Sequence, residues 1–240
     1  MRVVDTPTRA GLEWIRDAFK LFIAQPMTWV FLLFSWMMFT LSIVLIIPVV
    51  GLPIAWMLQP GLFAGLVIAA RDQTAAQPVT VAHLFAGFRF NGRALLSLGA
   101  IAMLAEIALG FILGPVGLEG VEKARVGENV DMRILAQAYA DFLQSKGWLL
   151  YFWFGLVMIV KAVLWFALPL LALNPMRVSH AIRWSFYAFI ANFLPLMLFG
   201  AAMMGLLFIS AMPMLLGLVV ALPVYAIAHF MSYRRVFSDD

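Results

Sequence analysis

Between Trp148 and Leu173 the chain carries 26 residues of apolar sequence broken by a single charge, Lys161. At 1.5 Å per residue a helix of that length crosses a hydrocarbon core of roughly 30 Å with some tilt. In lipid every backbone polar group must be satisfied within the protein, which leaves helices and closed barrels as spanning structures, and continuous rather than alternating apolarity selects the helix. Comparable runs cover about 27–50, 51–70, 94–113, 192–211 and the stretch from Pro213 to about Met231. Composition agrees: 65% of residues are hydrophobic and 12% charged, where soluble domains carry roughly 25% charged residues. The expectation is an all-α integral membrane protein with six transmembrane helices forming a single membrane domain over 1–240. The first run begins near Met27 and exceeds the length of a cleaved signal's apolar region, so it is expected to stay as a helix. The absence of cysteine excludes disulfides, thiolate metal ligands and a cysteine nucleophile.

The polar intervals are patterned. In 6–25, Thr6-Pro7 offers a helix start, and Leu12, Ile15, Phe19, Phe22 and Ile23 recur at helical spacing opposite Glu13, Arg16, Asp17 and Lys20. The pattern fits an amphipathic helix in the membrane interface, or one packing on the bundle from the aqueous side. A second such element follows Thr80, with Val81, Leu84, Phe85 and Phe88 on one face. A third begins at Asn174-Pro175, with Val178, Ala181, Ile182, Ser185, Phe186 and Phe189. In the second spanning helix Gly61 and Gly65 make a G-x-x-x-G pair suited to close helix approach. Gly114-Pro115 is read as the end of the third. Residues 114–147 form the one sizeable loop, with a short amphipathic helix over Asp131–Phe142.

Counting Lys and Arg by side sets the topology. Eleven lie in the N-terminal segment, 71–93, 174–191 and the C-terminal segment; four lie in 114–147. Both termini are therefore expected in the cytoplasm and 114–147 outside. Each cytoplasmic element starts at an X-Pro step (Pro7, Pro78, Pro175) and leads into a helical hairpin whose second helix holds a proline (Pro60, Pro169, Pro223). Phe19-x-x-Phe22-Ile23-Ala24-Gln25 matches Phe186-x-x-Phe189-Ile190-Ala191-Asn192. These features suggest three parallel hairpin units, about 6–73, 78–173 and 174–233, each preceded by a cytoplasmic amphipathic interfacial helix.

The surface-helix-then-hairpin pattern, with Val178-x-His180-Ala181-x-x-Trp184-Ser185-Phe186 leading to Asn192, resembles uncharacterised six-helix bacterial inner-membrane proteins of the BPSS1780-type membrane protein family. More distantly it is similar to the membrane domain attached to some glycerophosphodiester phosphodiesterases. The resemblance spans most of the chain and implies a topology and a bacterial inner (plasma) membrane. It carries over no catalytic motif.

Glu106 and Lys161 are the charges deepest within apolar runs. Each lies 13 residues from a cytoplasmic end, Glu106 from Arg93 and Lys161 from Asn174, which places both roughly 20 Å from the same surface. Antiparallel neighbours would bring them together as a structural ion pair, a proton or ion relay, or an anchor for an anionic substrate. Arg16, Lys20, Arg89 and Arg183 on the surface helices are candidates for anionic lipid headgroups. No zinc-protease, serine-hydrolase or P-loop motif is present, and His83, His180 and His229 lack ligand spacing. The sequence thus reads as a non-enzymatic membrane protein without cofactor, metal or nucleic acid, acting in envelope or lipid homeostasis or as a scaffold. A small-solute or ion transporter built on the Glu106–Lys161 pair is the alternative. Membrane lipids are the partners the pattern specifies; it names no protein partner and no oligomeric state.

Overall fold

The computed structural model describes residues 2–126, 129–212 and 214–238. The expected turn at Pro213 and the charges Glu128, Asp239 and Asp240 lie outside these. Ten helices occur among the described residues: α1 (Ala10–Ala24), α2 (Pro26–Ile46), α3 (Gly51–Thr74), α4 (Ala86–Ala124), α5 (Met132–Lys146), α6 (Trp148–Trp165), α7 (Ala167–Leu173), α8 (Val178–Ala191), α9 (Phe193–Ala211) and α10 (Leu218–Val236). A 3₁₀ turn, Val81–Phe85, precedes α4, and four two-residue strands complete the chain: β1 (Arg2–Val3), β2 (Arg125–Val126), β3 (Asn129–Val130) and β4 (Phe237–Ser238). Five stretches are long and apolar enough to cross a membrane: Pro26–Ile46, Gly51–Thr74, Val81–Ala124, Trp148–Leu173 and Phe193–Ala211. α10 is not among them, because His229, Ser232, Arg234 and Arg235 occupy its second half. The protein is an all-α membrane protein.

The chain divides into two compact units. In the first, Met1–Ala100 with Ala162–Asp240, α1 packs on α9 and α10, and α3 on α2, α7 and α10. α1 has three faces rather than two. Ala10, Gly11, Trp14, Ala18 and Phe22 are buried; Leu12, Phe19 and Ile23 stay exposed; Arg16 and Lys20 form the third edge. Of the expected apolar face, Leu12, Ile15, Phe19, Phe22 and Ile23, Phe22 is buried and Ile15 packs against the core, while the centre of the protein contact is Trp14, which is fully buried. Gly61 and Gly65 are both used: a Cβ at Gly61 would strike the Phe88 ring, and one at Gly65 the carbonyl oxygen of His83. Thr80 caps the 3₁₀ turn, its side chain accepting from the His83 backbone while its own N–H donates to His83 Nδ1 at 3.1 Å.

Three junctions between a surface helix and the helix that follows share one backbone conformation. Gln25 has φ −146° and ψ 60°, Asn91 φ −146° and ψ 47°, and Asn192 φ −113° and ψ 32°. Each amide residue is preceded at three residues by phenylalanine (Phe22, Phe88, Phe189) and at seven by a buried residue (Ala18, Leu84, Ser185). At Asn91 the backbone leaves the helical region, so α4 is two helices meeting at a kink, the second surface element and the spanning helix that follows it. At the ends of the chain β1 pairs antiparallel with β4, and Val4 N–H donates to the Val236 carbonyl at 2.8 Å.

The second unit is Ile101–Lys161. Here α4 does not stop at Gly114-Pro115 but continues to Ala124. Pro115 removes one N–H and frees one carbonyl, that of Phe111, which a helix can tolerate. A β2–β3 hairpin then leads to Asp131, whose carboxylate caps α5 by accepting from the N–H of Arg133 at 2.8 Å and of Ile134 at 3.4 Å.

Candidate functional site

In the second unit α4 and α6 run antiparallel and are tied by two side-chain bonds. Lys161 Nζ donates to Glu106 Oε1 at 2.7 Å, and Trp153 Nε1 donates to the Leu109 carbonyl at 3.0 Å. The ion pair is not enclosed: the Lys161 side chain is 55% exposed and that of Glu106 39%. It lines the outside of the helix pair rather than a sealed cavity.

The first unit holds a polar constellation that the sequence reading passed over, at the break between α6 and α7. Pro169 has no N–H, so the carbonyl of Trp165, four residues earlier, loses its helical donor. His229 Nε2 supplies the bond from α10 at 2.6 Å, which places the imidazole proton on Nε2. One turn earlier Ser185 Oγ enters the ladder of α6: it accepts from Phe166 N–H at 2.9 Å and donates to the Ala162 carbonyl at 3.3 Å. The His229 ring stacks on Trp165 with centroids 4.4 Å apart and lies 5.3 Å from Phe63. Trp165 Nε1 in turn donates to Ser232 Oγ at 3.4 Å. The signal was present in the sequence: a proline inside a spanning helix demands a replacement donor, and histidine and serine in apolar helices are the available ones.

Two buried amides do similar work. Gln73 accepts from Trp29 Nε1 at 2.7 Å and donates to the Leu21 carbonyl at 2.9 Å, fastening α3 to α2 and to the end of α1. Asn192 accepts from the backbone N–H and hydroxyl of Thr6 at 2.9 and 2.7 Å, and donates to Val4 and Ala188 carbonyls. Each amide thus has both its oxygen and its nitrogen bonded.

Of the four candidate headgroup residues, Arg16 and Lys20 share one edge of α1, where each lies within 4 Å of Asp17. The acids of that helix are drawn toward α10: Arg235 lies 3.1 Å from Asp17 and 3.6 Å from Glu13. Arg89 and Arg183 are exposed on α4 and α8, and neither is brought to the α1 pair by any described contact. His83 bonds Asp72 at 3.2 Å, His229 serves Trp165, and His180 is exposed on α8. Among the described residues no three metal-ligating side chains converge.

No family model matches the chain, and no solved structure does. It is similar to a protein of Burkholderia thailandensis described as a probable inner membrane protein, at 29% identity over 113 residues. That match takes in 45% of this chain and spans 42% of the relative's length. Together with the five apolar helices it supports a multi-pass inner-membrane protein.

Proposed function

We propose that the chain is a non-enzymatic bacterial inner-membrane protein of the six-helix kind it resembles, working in envelope or lipid homeostasis or as a membrane scaffold. The observation that carries this reading is the three-faced α1. One face packs on the protein, Leu12, Phe19 and Ile23 are presented to an apolar surrounding, and Arg16 and Lys20 edge it with positive charge. That is the arrangement expected of a helix lying between acyl chains and anionic headgroups. The recurrent junction at Gln25, Asn91 and Asn192 supports three repeated units. The pairing of β1 with β4 supports six crossings rather than five, because an odd number would part the two ends of the chain. With the lysine and arginine distribution, both ends fall in the cytoplasm.

The test is lipid retention by the full-length protein. After purification in mild detergent and washing, wild type should keep phosphatidylglycerol or cardiolipin over phosphatidylcholine. The variant with Arg16, Lys20, Arg89 and Arg183 all changed to alanine should lose that preference severalfold with its helicity intact. Equal retention of anionic lipid by both proteins would remove the reading. The transport alternative rests on the Glu106–Lys161 pair, and solute flux in proteoliposomes abolished by Glu106→Gln would establish it instead.

A further inference from the structure

The second unit contains two adjoining clefts of opposite character. One, of about 360 Å³, is apolar and lined by Leu113, Gly117, Phe142, Leu143 and Leu150, with Tyr139 at its border. The other, of about 300 Å³, shares Tyr139 and Phe142 and is lined by Glu119, Lys123, Asp141 and Lys146. Each volume is at the lower end of the roughly 300–1,000 Å³ of small-molecule sites. Beyond them Trp148 and Tyr151 stand largely exposed at the start of α6, where aromatic side chains mark a membrane–water boundary. α5, which forms one wall of both clefts, is amphipathic yet has no buried residue.

An apolar slot beside a charged one, at the edge of a hydrocarbon layer, suits a molecule with a chain and a head. The charges narrow the head. Two acids and two bases line the polar cleft, with Lys123 paired to Glu119 at 2.7 Å and Asp141 and Lys146 beside them. A purely anionic headgroup would meet two carboxylates, and a purely cationic one two ammonium groups. A head carrying both a phosphodiester and an ammonium meets complementary charge at each end.

We propose that this paired cleft binds one phosphatidylethanolamine, with an acyl chain along Phe142, Leu143 and Leu150, its phosphate toward Lys146 and its ammonium toward Asp141. The site deepens the lipid reading given above. It differs in its chemistry, since the cationic edge of α1 selects anionic lipid and this cleft selects zwitterionic lipid.

Gly117 provides the test, because a Cβ there meets no atom within 4 Å and a larger side chain can grow into the apolar slot. Gly155 on α6 has equally open surroundings without lining either cleft and serves as the control. Full-length wild type, Gly117→Phe and Gly155→Phe are incorporated into nanodiscs of equal phosphatidylethanolamine and phosphatidylglycerol, then released and weighed by native mass spectrometry. Wild type and Gly155→Phe should retain one phosphatidylethanolamine. Gly117→Phe should retain at least tenfold less at unchanged helicity, and Lys146→Glu should weaken retention severalfold. Equal retention of phosphatidylethanolamine by wild type and Gly117→Phe, or a Gly117→Phe loss shared equally by phosphatidylglycerol, would overturn the proposal. Equal retention of anionic lipid by wild type and the four-residue variant, with phosphatidylethanolamine still bound, would defeat the earlier reading alone.

Discussion

The break at Trp165–Ala167 makes the sharpest prediction, because its bond is supplied by one residue and demanded by another. His229→Phe keeps a ring against Trp165 and Phe63 but removes the donor to the Trp165 carbonyl, now held at 2.6 Å. A buried acceptor left without a partner costs about 1–3 kcal/mol, while side-chain bonds between membrane helices average only ~0.6 and reach ~1.7 kcal/mol. The single change should therefore destabilise by about 1–2 kcal/mol. Pro169→Ala restores an N–H four residues after the orphaned carbonyl. In wild type that N–H competes with His229 and gains little; beside His229→Phe it replaces the missing donor. The double mutant should thus be more stable than the two single effects added together predict, by roughly 0.6–1.7 kcal/mol if the bond is the cause. Unfolding in mixed micelles titrated with dodecyl sulfate, followed by tryptophan fluorescence and circular dichroism, measures all four corners of the cycle. Additivity within about 0.3–0.5 kcal/mol would refute the account.

Other expectations follow from the same bonds. Gln73→Leu strands the buried Trp29 indole N–H and the Leu21 carbonyl and should lower stability by about 1–3 kcal/mol in the same titration. Gly65→Ala forces a side chain onto the His83 carbonyl and should reduce folded yield; Gly110→Ala, with open space around it, should be neutral or stabilising by up to about 1 kcal/mol, both read by fluorescence-detected size exclusion. Lys161→Leu alone leaves Glu106 without its cation in an apolar helix and should impair insertion, while Glu106→Leu with Lys161→Leu should insert at least as well as wild type, scored by membrane-fraction yield. Alkaline phosphatase fused after Ser238 should be inactive and, placed at Asn129, active; the reverse pattern would invert the proposed topology.

The spanning helices were legible because length and apolarity alone decide that a stretch prefers lipid to water. What those properties cannot distinguish is lipid from protein, since both are apolar. That is why the expected face of α1 took in Leu12, Phe19 and Ile23 together with Ile15 and Phe22, while the contact is made by Trp14 and Ala18 with Phe22 and, in part, Ile15. The third junction was hidden for a related reason: Phe88-x-x-Asn91 carries the phenylalanine-to-amide spacing without the flanking Ile-Ala that linked the other two. Gly114-Pro115 looked like a stop because proline usually ends helices, yet it removes only one bond and α4 absorbs it. The partners of Trp165, Trp29 and Thr6 are set by contacts between residues 44 to 186 positions apart, and periodicity along the chain carries no information at that range.

The packing of α1 also imposes a schedule on synthesis. It emerges early, but the helices that cover Trp14 belong to the last fifth of the sequence. At roughly 5–20 residues per second, the gap amounts to some ten seconds or more in which that face has no native neighbour. A ribosome stalled before α9 would release a protein whose middle helices are threaded but whose first helix has nowhere to dock. The exposed tryptophan face would then distinguish an unfinished chain from a finished one.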